Sequence, residues 1–183
     1  HRKKLLQTDL LVAQADVIAL QETCPDSFST DFDFLAGRYA SIIHQKSRIS
    51  CATFWDKERF TLLADYHRDR CLITILKSRT GSVIAVANCH LSAGSNPRRR
   101  FQQIHAACTQ LSKEQKKYDI DLFLLLGDFN ERPGDTAVKQ FLTKGEIETE
   151  FREARYPDTE ITSRRKTQDI GIFKDCYEDN RCN

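Results

Sequence analysis

The spacing of apolar residues predicts several helices in this chain of 183 residues. In two segments, apolar side chains recur every three or four positions, as they do on one face of an amphipathic helix. The longer segment carries Phe101, Ile104 and Cys108 at that spacing. The predicted helices cover residues 4–15, part of 25–40, residues 98–117 and a short stretch between Pro133 and a C-cap at Gly145. The polar run "TSRRKTQ" (162–168) predicts an exposed loop.

Apolar runs of strand length predict the sheets that lie between these helices. The runs cover residues 16–23, 47–55, 59–66, 71–77, 82–91 and 121–128. The second and third runs are joined only by "DKE" and predict a hairpin, and the fourth and fifth predict another about a turn at Gly81. The last run is fully apolar, which predicts a strand buried on both faces. Hairpins with interspersed helices are typical of a mixed, layered α/β domain.

The composition narrows the class of protein. The net charge of +2 is too small by itself to argue for a nucleic-acid-binding surface. No apolar run approaches the roughly 18 residues of a membrane span. The seven cysteines are odd in number and form no CxxC pair, so neither a disulfide framework nor a zinc site is indicated. Cys51, Cys71 and Cys89 lie in apolar runs, which predicts reduced core residues and an intracellular, cytoplasmic compartment.

Three of the predicted strands end in polar side chains. Glu22 ends one strand, and His90 ends another with Asn88 two residues earlier on the same face. Asp128 and Asn130 follow the run of leucines. A buried strand fixes the backbone at such a position while the following loop exposes the side chain. Each residue alone has an ordinary interpretation as a solvated glutamate, a hydrogen-bonded histidine or an Asx turn, so only the set indicates a site.

Taken together, these residue types match the chemistry of phosphoryl transfer. The carboxylates of Glu22 and Asp128 suit Mg²⁺, which takes few carboxylates and keeps several waters. His90 and Asn88 can donate hydrogen bonds to phosphate oxygens as charge develops in the transition state. The arginines at 98–100 offer forked donors for the same anion, although the solvated start of a helix is an alternative interpretation.

Several blocks of sequence resemble the endonuclease/exonuclease/phosphatase superfamily, whose fold is DNase I-like. The three general blocks are "VIALQE", "VANCHL" and "LLLGDFNERP". The stretch "ISCATFWDKERFTLL", and the R-x-R-x-x-Q pattern after "HLSAG", resemble the branch of carbon catabolite repressor, nocturnin and angel proteins. All blocks stand in the family's order within residues 1–145. The resemblance implies a four-layer α/β sandwich, with two mixed β-sheets flanked by helices.

The resemblance also implies roles for individual residues. Glu22 would bind the catalytic Mg²⁺, with Mn²⁺ able to take its place, and His90 would contact the scissile phosphate. Asp128 and Asn130 would position and activate the attacking water. The remaining candidates for substrate contact are Asn88, from its position beside His90, and Arg98 and Arg100, which the resemblance places at backbone phosphates.

The chain departs from the family pattern at both ends. It begins with His1, contains no methionine, and starts after the strand that carries a metal-site asparagine in the family. No "SDH" block occurs near its C-terminus. We therefore expect a single domain over residues 1–183 that lacks the first strand and the C-terminal Asp-His block, with little activity as a fragment.

The predicted function is that of a Mg²⁺-dependent phosphodiesterase acting on RNA or a nucleotide, of the 3′–5′ exoribonuclease and deadenylase type. Two alternatives stay open. The first is a phosphatase of a small phosphorylated molecule, which the same residues would serve. The second is a catalytically incomplete protein that keeps the fold as an RNA-binding scaffold. The sequence indicates neither a membrane nor a particular protein partner.

Overall fold

In a computed structural model, the helices and strands of the chain form two compact units. The structure describes residues 2–45, 50–132, 134–148, 150–162 and 170–176, so most of the predicted loop at 162–168 and the predicted helix start at Pro133 lie outside it. The first unit comprises residues 1–90 and 120–128, and the second comprises 91–119 and 129–183.

The first unit contains two sheets and the helices on one of them. Its helices are α1 (Arg2–Ala13), α2 (Phe28–Asp31) and a 3₁₀ turn (Asp33–Leu35). Its strands are β1 (Val17–Thr23), β2 (Tyr39–Ile43), β3 (Ser50–Asp56), β4 (Phe60–Arg68), β5 (Cys71–Ser78), β6 (Val83–His90) and β7 (Leu122–Asp128). One sheet has the order β1-β3-β2 with antiparallel pairs, and the other has the order β4-β5-β6-β7. In the second sheet only the β6–β7 pair is parallel, so that sheet is mixed.

The two sheets of the first unit pack face to face through apolar side chains. Trp55 of one sheet packs with Leu76 and Val86 of the other, and all three are buried. On its opposite face the first sheet is covered by the aromatic side chains of Phe28 and Phe32, which contact Phe54. Burial of apolar surface on both faces therefore explains why every residue of β3 is buried.

The predicted hairpin between residues 47–55 and 59–66 is wrong, whereas the second predicted hairpin is confirmed as the β5–β6 pair. β3 already has β1 and β2 on its two edges, so β4 cannot pair with it and joins the other sheet. The link between them is held by Asp56, which accepts hydrogen bonds from Arg38 Nε (2.8 Å) and from the backbone of Glu58 (2.9 Å). The short link thus passes from one sheet to the other.

The prediction that residues 121–128 are buried on both faces is also wrong. β7 is the last strand in its sheet's order, and its residues are half-buried or exposed. Leu122 is 48% exposed. The continuous apolar run resembles that of a central strand, but in the described part of the chain β7 has β6 as its only strand neighbour.

Three cysteines in the first unit form part of its core, as predicted. Cys51, Cys71 and Cys89 are buried and reduced, and Cys71 and Cys89 face each other across β5 and β6 with their sulfur atoms 3.4 Å apart. Burial raises the pKa of the Cys51 thiol from an ordinary 9.0 to about 12. The pKa of Cys89 is also raised, first by its contact with Cys71 and then by burial.

We expect the Cys51 and Cys89 thiols to be unreactive toward iodoacetamide in the folded protein at pH 8, because the thiolate is the reactive form and the pKa of both thiols is raised. The exposed Cys24 and Cys176 should react rapidly under the same conditions. Peptide mass spectrometry after timed labelling, with a urea-unfolded sample as control, measures both rates. Labelling of Cys51 as fast as Cys24 would contradict this prediction.

The raised pKa of Cys51 also makes the stability of the protein depend on pH. Its contribution to the free energy of unfolding is lost as the pH rises from about 9 toward 12.

The second unit is built on two capped helices, both of which the sequence predicts. They are α3 (Pro97–Tyr118) and α4 (Ala137–Lys144), and a short ribbon pairs β8 (Phe151–Arg152) with β9 (Glu160–Ile161). α4 begins after Thr136, whose hydroxyl accepts a hydrogen bond from Lys139 N, and it ends at Gly145 in the left-handed conformation. The rings of Phe101 and Phe141 join the two helices, edge to face at 5.4 Å.

In the described residues, no helix has the length and the apolar character that crossing a membrane requires.

Candidate functional site

Three strand ends of the first unit bring Glu22, His90 and Asp128 together. His90 and Asp128 are direct partners in the parallel pairing of β6 with β7. The His90 Nε2 atom lies 3.9 Å from Glu22 Oε1 and 3.9 Å from Asp128 Oδ2. Both distances exceed that of a hydrogen bond. The imidazole therefore stands between two carboxylates.

The three side chains differ in their access to solvent. The carboxylates of Glu22 and Asp128 are 71% and 51% exposed, whereas the His90 side chain is only 12% exposed. The Nδ1 atom of His90 is buried and accepts or donates no hydrogen bond within the described residues. The site thus presents two accessible oxygen ligands above a largely buried imidazole.

The backbone before Asp128 depends on Gly127, which the sequence analysis did not identify as a site residue. Gly127 has φ +130°, a conformation that L side chains rarely adopt. A Cβ atom at this position would collide with the carbonyl oxygen of Cys89. The absence of a side chain lets β7 approach β6 closely where His90 and Asp128 stand side by side.

Asn88 lies in the same unit, beneath the three strand ends, and is fully buried. Its Nδ2 donates to the carbonyl oxygens of Leu20 (3.1 Å) and Ala52 (2.9 Å). Its Oδ1 accepts a hydrogen bond from Gln21 Nε2 (2.8 Å). Both N–H bonds of Asn88 are therefore directed at the backbone, and its contact with a phosphate stays a prediction. Gln21 was missed by the sequence reasoning, although it stands next to Glu22.

The other predicted site residues belong to the second unit. The Asn130 side chain donates to the carbonyl oxygen of Leu91 (2.9 Å), and its backbone has φ +49°. Arg98 donates to the carbonyl oxygen of Glu160 from both Nε (3.2 Å) and Nη2 (2.8 Å). Arg100 is 3% exposed and donates to Glu131 Oε1 (3.0 Å). The roles of these residues toward substrate remain predictions.

The donor set at the three strand ends fits a hard divalent cation that prefers oxygen ligands. Among the described residues, no group of three or more histidines, cysteines or acidic residues is arranged to hold a metal ion. Mg²⁺ needs only one or two carboxylates because it keeps several of its waters. The exposed carboxylates of Glu22 and Asp128 meet that requirement.

Two packed sheets, with acidic and imidazole side chains at adjoining strand ends, define an α/β protein of the DNase I-like fold. The chain belongs to the Endonuclease/Exonuclease/phosphatase family, whose sequence model matches residues 1–172. The predicted family and fold are therefore confirmed. No curated protein sequence matches the chain.

Three proteins of known structure are among those with the same fold. The human nocturnin catalytic domain is 24% identical, with a TM-score of 0.65, and the match covers 76% of this chain and 60% of that domain. ANGEL2, described as a 2′,3′-cyclic phosphatase, is 21% identical with a TM-score of 0.69 and coverages of 88% and 52%. TDP2 of D. rerio, solved with a single-strand DNA product, is 20% identical with a TM-score of 0.60 and coverages of 72% and 54%. The chain thus spans between about half and three-fifths of these proteins.

Proposed function

We propose that this chain carries the hydrolytic core of a Mg²⁺-dependent phosphodiesterase that acts on nucleic acid. The observation that supports this proposal most strongly is the position of His90 Nε2, at 3.9 Å from carboxylate oxygens of both Glu22 and Asp128. An imidazole can donate a hydrogen bond to a phosphate oxygen, and the two carboxylates beside it can bind a metal ion and accept a proton from water. Membership of a family of nucleases and phosphatases supports the same chemistry.

In this proposal each side chain has a separate task. Glu22 would hold Mg²⁺, which supplies positive charge against the developing charge of the phosphate. Asp128 accepts a proton from the attacking water, and Asn130 orients that water through its amide. His90 donates its Nε2–H to a phosphate oxygen, and its low exposure strengthens that hydrogen bond by excluding water.

We propose RNA as the substrate, cut from its 3′ end to release 5′-nucleotides, with poly(A) as the preferred tract. The sequence blocks shared with the deadenylase branch support this choice. An alternative is that the site opens a cyclic phosphate or removes a terminal phosphate. The similarity of this chain to ANGEL2 supports that alternative, because ANGEL2 is described as a 2′,3′-cyclic phosphatase. Both activities would need the same three side chains, so substrate tests must separate them.

The proposal predicts hydrolysis of 5′-labelled oligo(A) by the full-length protein with Mg²⁺ or Mn²⁺, and none after addition of EDTA. Glu22→Gln and Asp128→Asn should each lower the rate by about three orders of magnitude, because members of one catalytic unit fail together. Asp9→Asn, which changes an exposed carboxylate on α1, is the matched control and should keep the rate. Chromatography of the labelled products measures these rates and shows the direction of cleavage.

A panel with oligo(dA), adenosine 2′,3′-cyclic phosphate and a phosphomonoester separates the two activities. A rate highest on the cyclic phosphate would replace the exonuclease proposal by the phosphatase alternative. An unchanged rate in Glu22→Gln would refute the assignment of the site. Retained binding of oligo(A), without hydrolysis of any member of the panel, would favour the scaffold alternative.

A further inference from the structure

The candidate metal ligand Glu22 stands in a β-bulge, which the pairing of β1 with β3 defines. Leu20 pairs with Ala52 and Thr23 pairs with Ser50, so two residues of β1 oppose the single residue Cys51 of β3. Glu22 is the second of the two and has φ +58°, in the left-handed region where a residue other than glycine is strained. The bulge turns Glu22 out of the sheet to 71% exposure, with its carboxylate near His90.

Side-chain hydrogen bonds hold this bulge on both sides. After it, Thr23 Oγ1 donates to the carbonyl oxygen of Ser50 (2.7 Å). Before it, Asn88 of the facing sheet donates to the carbonyl oxygens of Leu20 and Ala52, which are cross-strand partners. Strained backbone persists at functional sites only where the surrounding contacts fix it.

Gln21, the first residue of the bulge, is fixed by the same asparagine. Its Nε2 donates to Asn88 Oδ1 at 2.8 Å. The orientation of the Asn88 amide follows from its surroundings, because two carbonyl oxygens face its nitrogen and an N–H faces its oxygen. A fully buried amide with all its N–H bonds used in this way has no donor for a substrate.

We propose that Asn88 and Gln21 are positioning residues, which hold the bulge so that the Glu22 carboxylate stays beside His90 and ready to bind the metal. Asn88 and His90 are two residues apart on one face of β6, so a single strand fixes both the imidazole and its acidic neighbour. The proposal rests on the proposed function, since it assigns Glu22 to metal binding.

Gln21→Met is the principal test, because Gln21 is half-buried and methionine keeps the chain length while removing the donor to Asn88. Asn88→Ala removes all three hydrogen bonds and should have the larger effect. We expect affinity for Mn²⁺, measured by electron paramagnetic resonance, to fall by about 10-fold or more in these variants. The value of kcat on oligo(A) should fall with it, while KM for oligo(A) stays within about two-fold because Asn88 does not contact the substrate.

Tyr39→Phe is the matched control for these variants. The Tyr39 hydroxyl is in the same sheet and donates to the carbonyl oxygen of Ala15 (2.7 Å), before the opposite end of β1. Its loss should lower thermal stability without changing Mn²⁺ affinity. If Gln21→Met and Asn88→Ala behave like Tyr39→Phe, the positioning role is wrong.

A double-mutant cycle with Glu22→Gln separates positioning from direct contact. If Asn88 acts through Glu22, Asn88→Ala should lower kcat no further in the Glu22→Gln background. Additive losses, or a rise in KM for oligo(A), would overturn the proposal in favour of substrate contact by Asn88.

Hydrogen exchange distinguishes a failure of this inference from a failure of the proposed function. In the protein without metal or substrate, Gln21→Met should speed amide exchange in the peptide that contains residues 20–23, and Tyr39→Phe should not. If exchange speeds up but Glu22→Gln leaves hydrolysis unchanged, the bulge is held as proposed and the proposed function is wrong. Unchanged exchange in Gln21→Met overturns the inference, whatever the activity.

Discussion

Gly127→Ala should lower the free energy of unfolding by about 3 kcal/mol or more and abolish hydrolysis, because two penalties act at one position. The first is the left-handed backbone at φ +130°, where an L residue is strained. The second is the collision of the new Cβ with the Cys89 carbonyl oxygen. Cys89 is fully buried in β6, which pairs with β5 on one edge and β7 on the other, so its backbone cannot yield.

Gly81→Ala is the matched control, since it separates the two penalties. Gly81 also has a positive φ, +101°, but no atom lies within 4 Å of the position that its Cβ would take. The alanine there should carry only the backbone strain, about 1 kcal/mol, and should keep the activity of the protein. Urea unfolding of both variants, with oligo(A) hydrolysis measured on the folded fraction, gives the comparison. Equal losses of stability would show that the Cys89 backbone does not constrain β7.

The candidate site could be predicted in part because its residues follow apolar runs along the chain. Glu22, His90 and Asp128 each end such a run, and strand ends are positions that a single sequence reveals. The bulge at Glu22 could not be predicted, because a bulge arises from the register between two strands. Gln21 was missed for the same reason, since its partner Asn88 lies on another sheet.

The errors in the fold prediction have a similar physical origin. A short polar link between two strand-like runs favours a hairpin only when the first strand has an open edge. β3 has none, because β1 and β2 occupy both of its edges. The apolar run of β7 indicated a central strand, whereas the pairing leaves it half-buried at the end of its sheet. In both cases long-range pairing, which local patterns do not encode, decided the result.

The sequence also does not show which arginines form buried ion pairs. Arg98 and Arg100 stand two residues apart in a basic run, yet Arg98 is bound to a backbone carbonyl and Arg100 lies in a buried cluster of charges. The acidic partners of Arg100 are Glu131 and Glu153, both far along the chain. No local pattern marks that cluster, which stabilises the second unit.

Arg100→Met should lower the free energy of unfolding by about 3–5 kcal/mol at pH 7, since it leaves the buried Glu153 and the half-buried Glu131 without their cation. The guanidinium donates to Glu131 (3.0 Å) and to the Gly94 carbonyl oxygen (2.8 Å), and lies 3.7 Å from Glu153. Glu153 in turn accepts a hydrogen bond from Ala137 N (3.2 Å) at the start of α4. The charge cluster thus connects three separate segments of the unit.

The loss of stability in Arg100→Met should grow with pH. Burial raises the pKa of Glu153 above its ordinary 4.5, and Arg100 acts in the opposite direction. An acid with a raised pKa favours folding below its unfolded pKa, and that contribution is lost as the pH rises through the folded value. Without Arg100 the pKa of Glu153 rises further, so the variant should be closest to the wild type near pH 4 and furthest from it near pH 7.

Urea unfolding at both pH values measures this dependence, and Arg152→Met is its matched control. Arg152 forms a 2.8 Å ion pair with Glu160 in the same unit, but the two side chains are 46% and 34% exposed. Loss of the Arg152 guanidinium should lower the free energy of unfolding by at most about 1 kcal/mol, with little change between the two pH values.

Adding Glu131→Gln and Glu153→Gln to Arg100→Met should restore much of the stability, because neither carboxylate is then left charged without its cation. If the triple variant is no more stable than Arg100→Met, packing of the arginine side chain rather than its charge holds this part of the unit together.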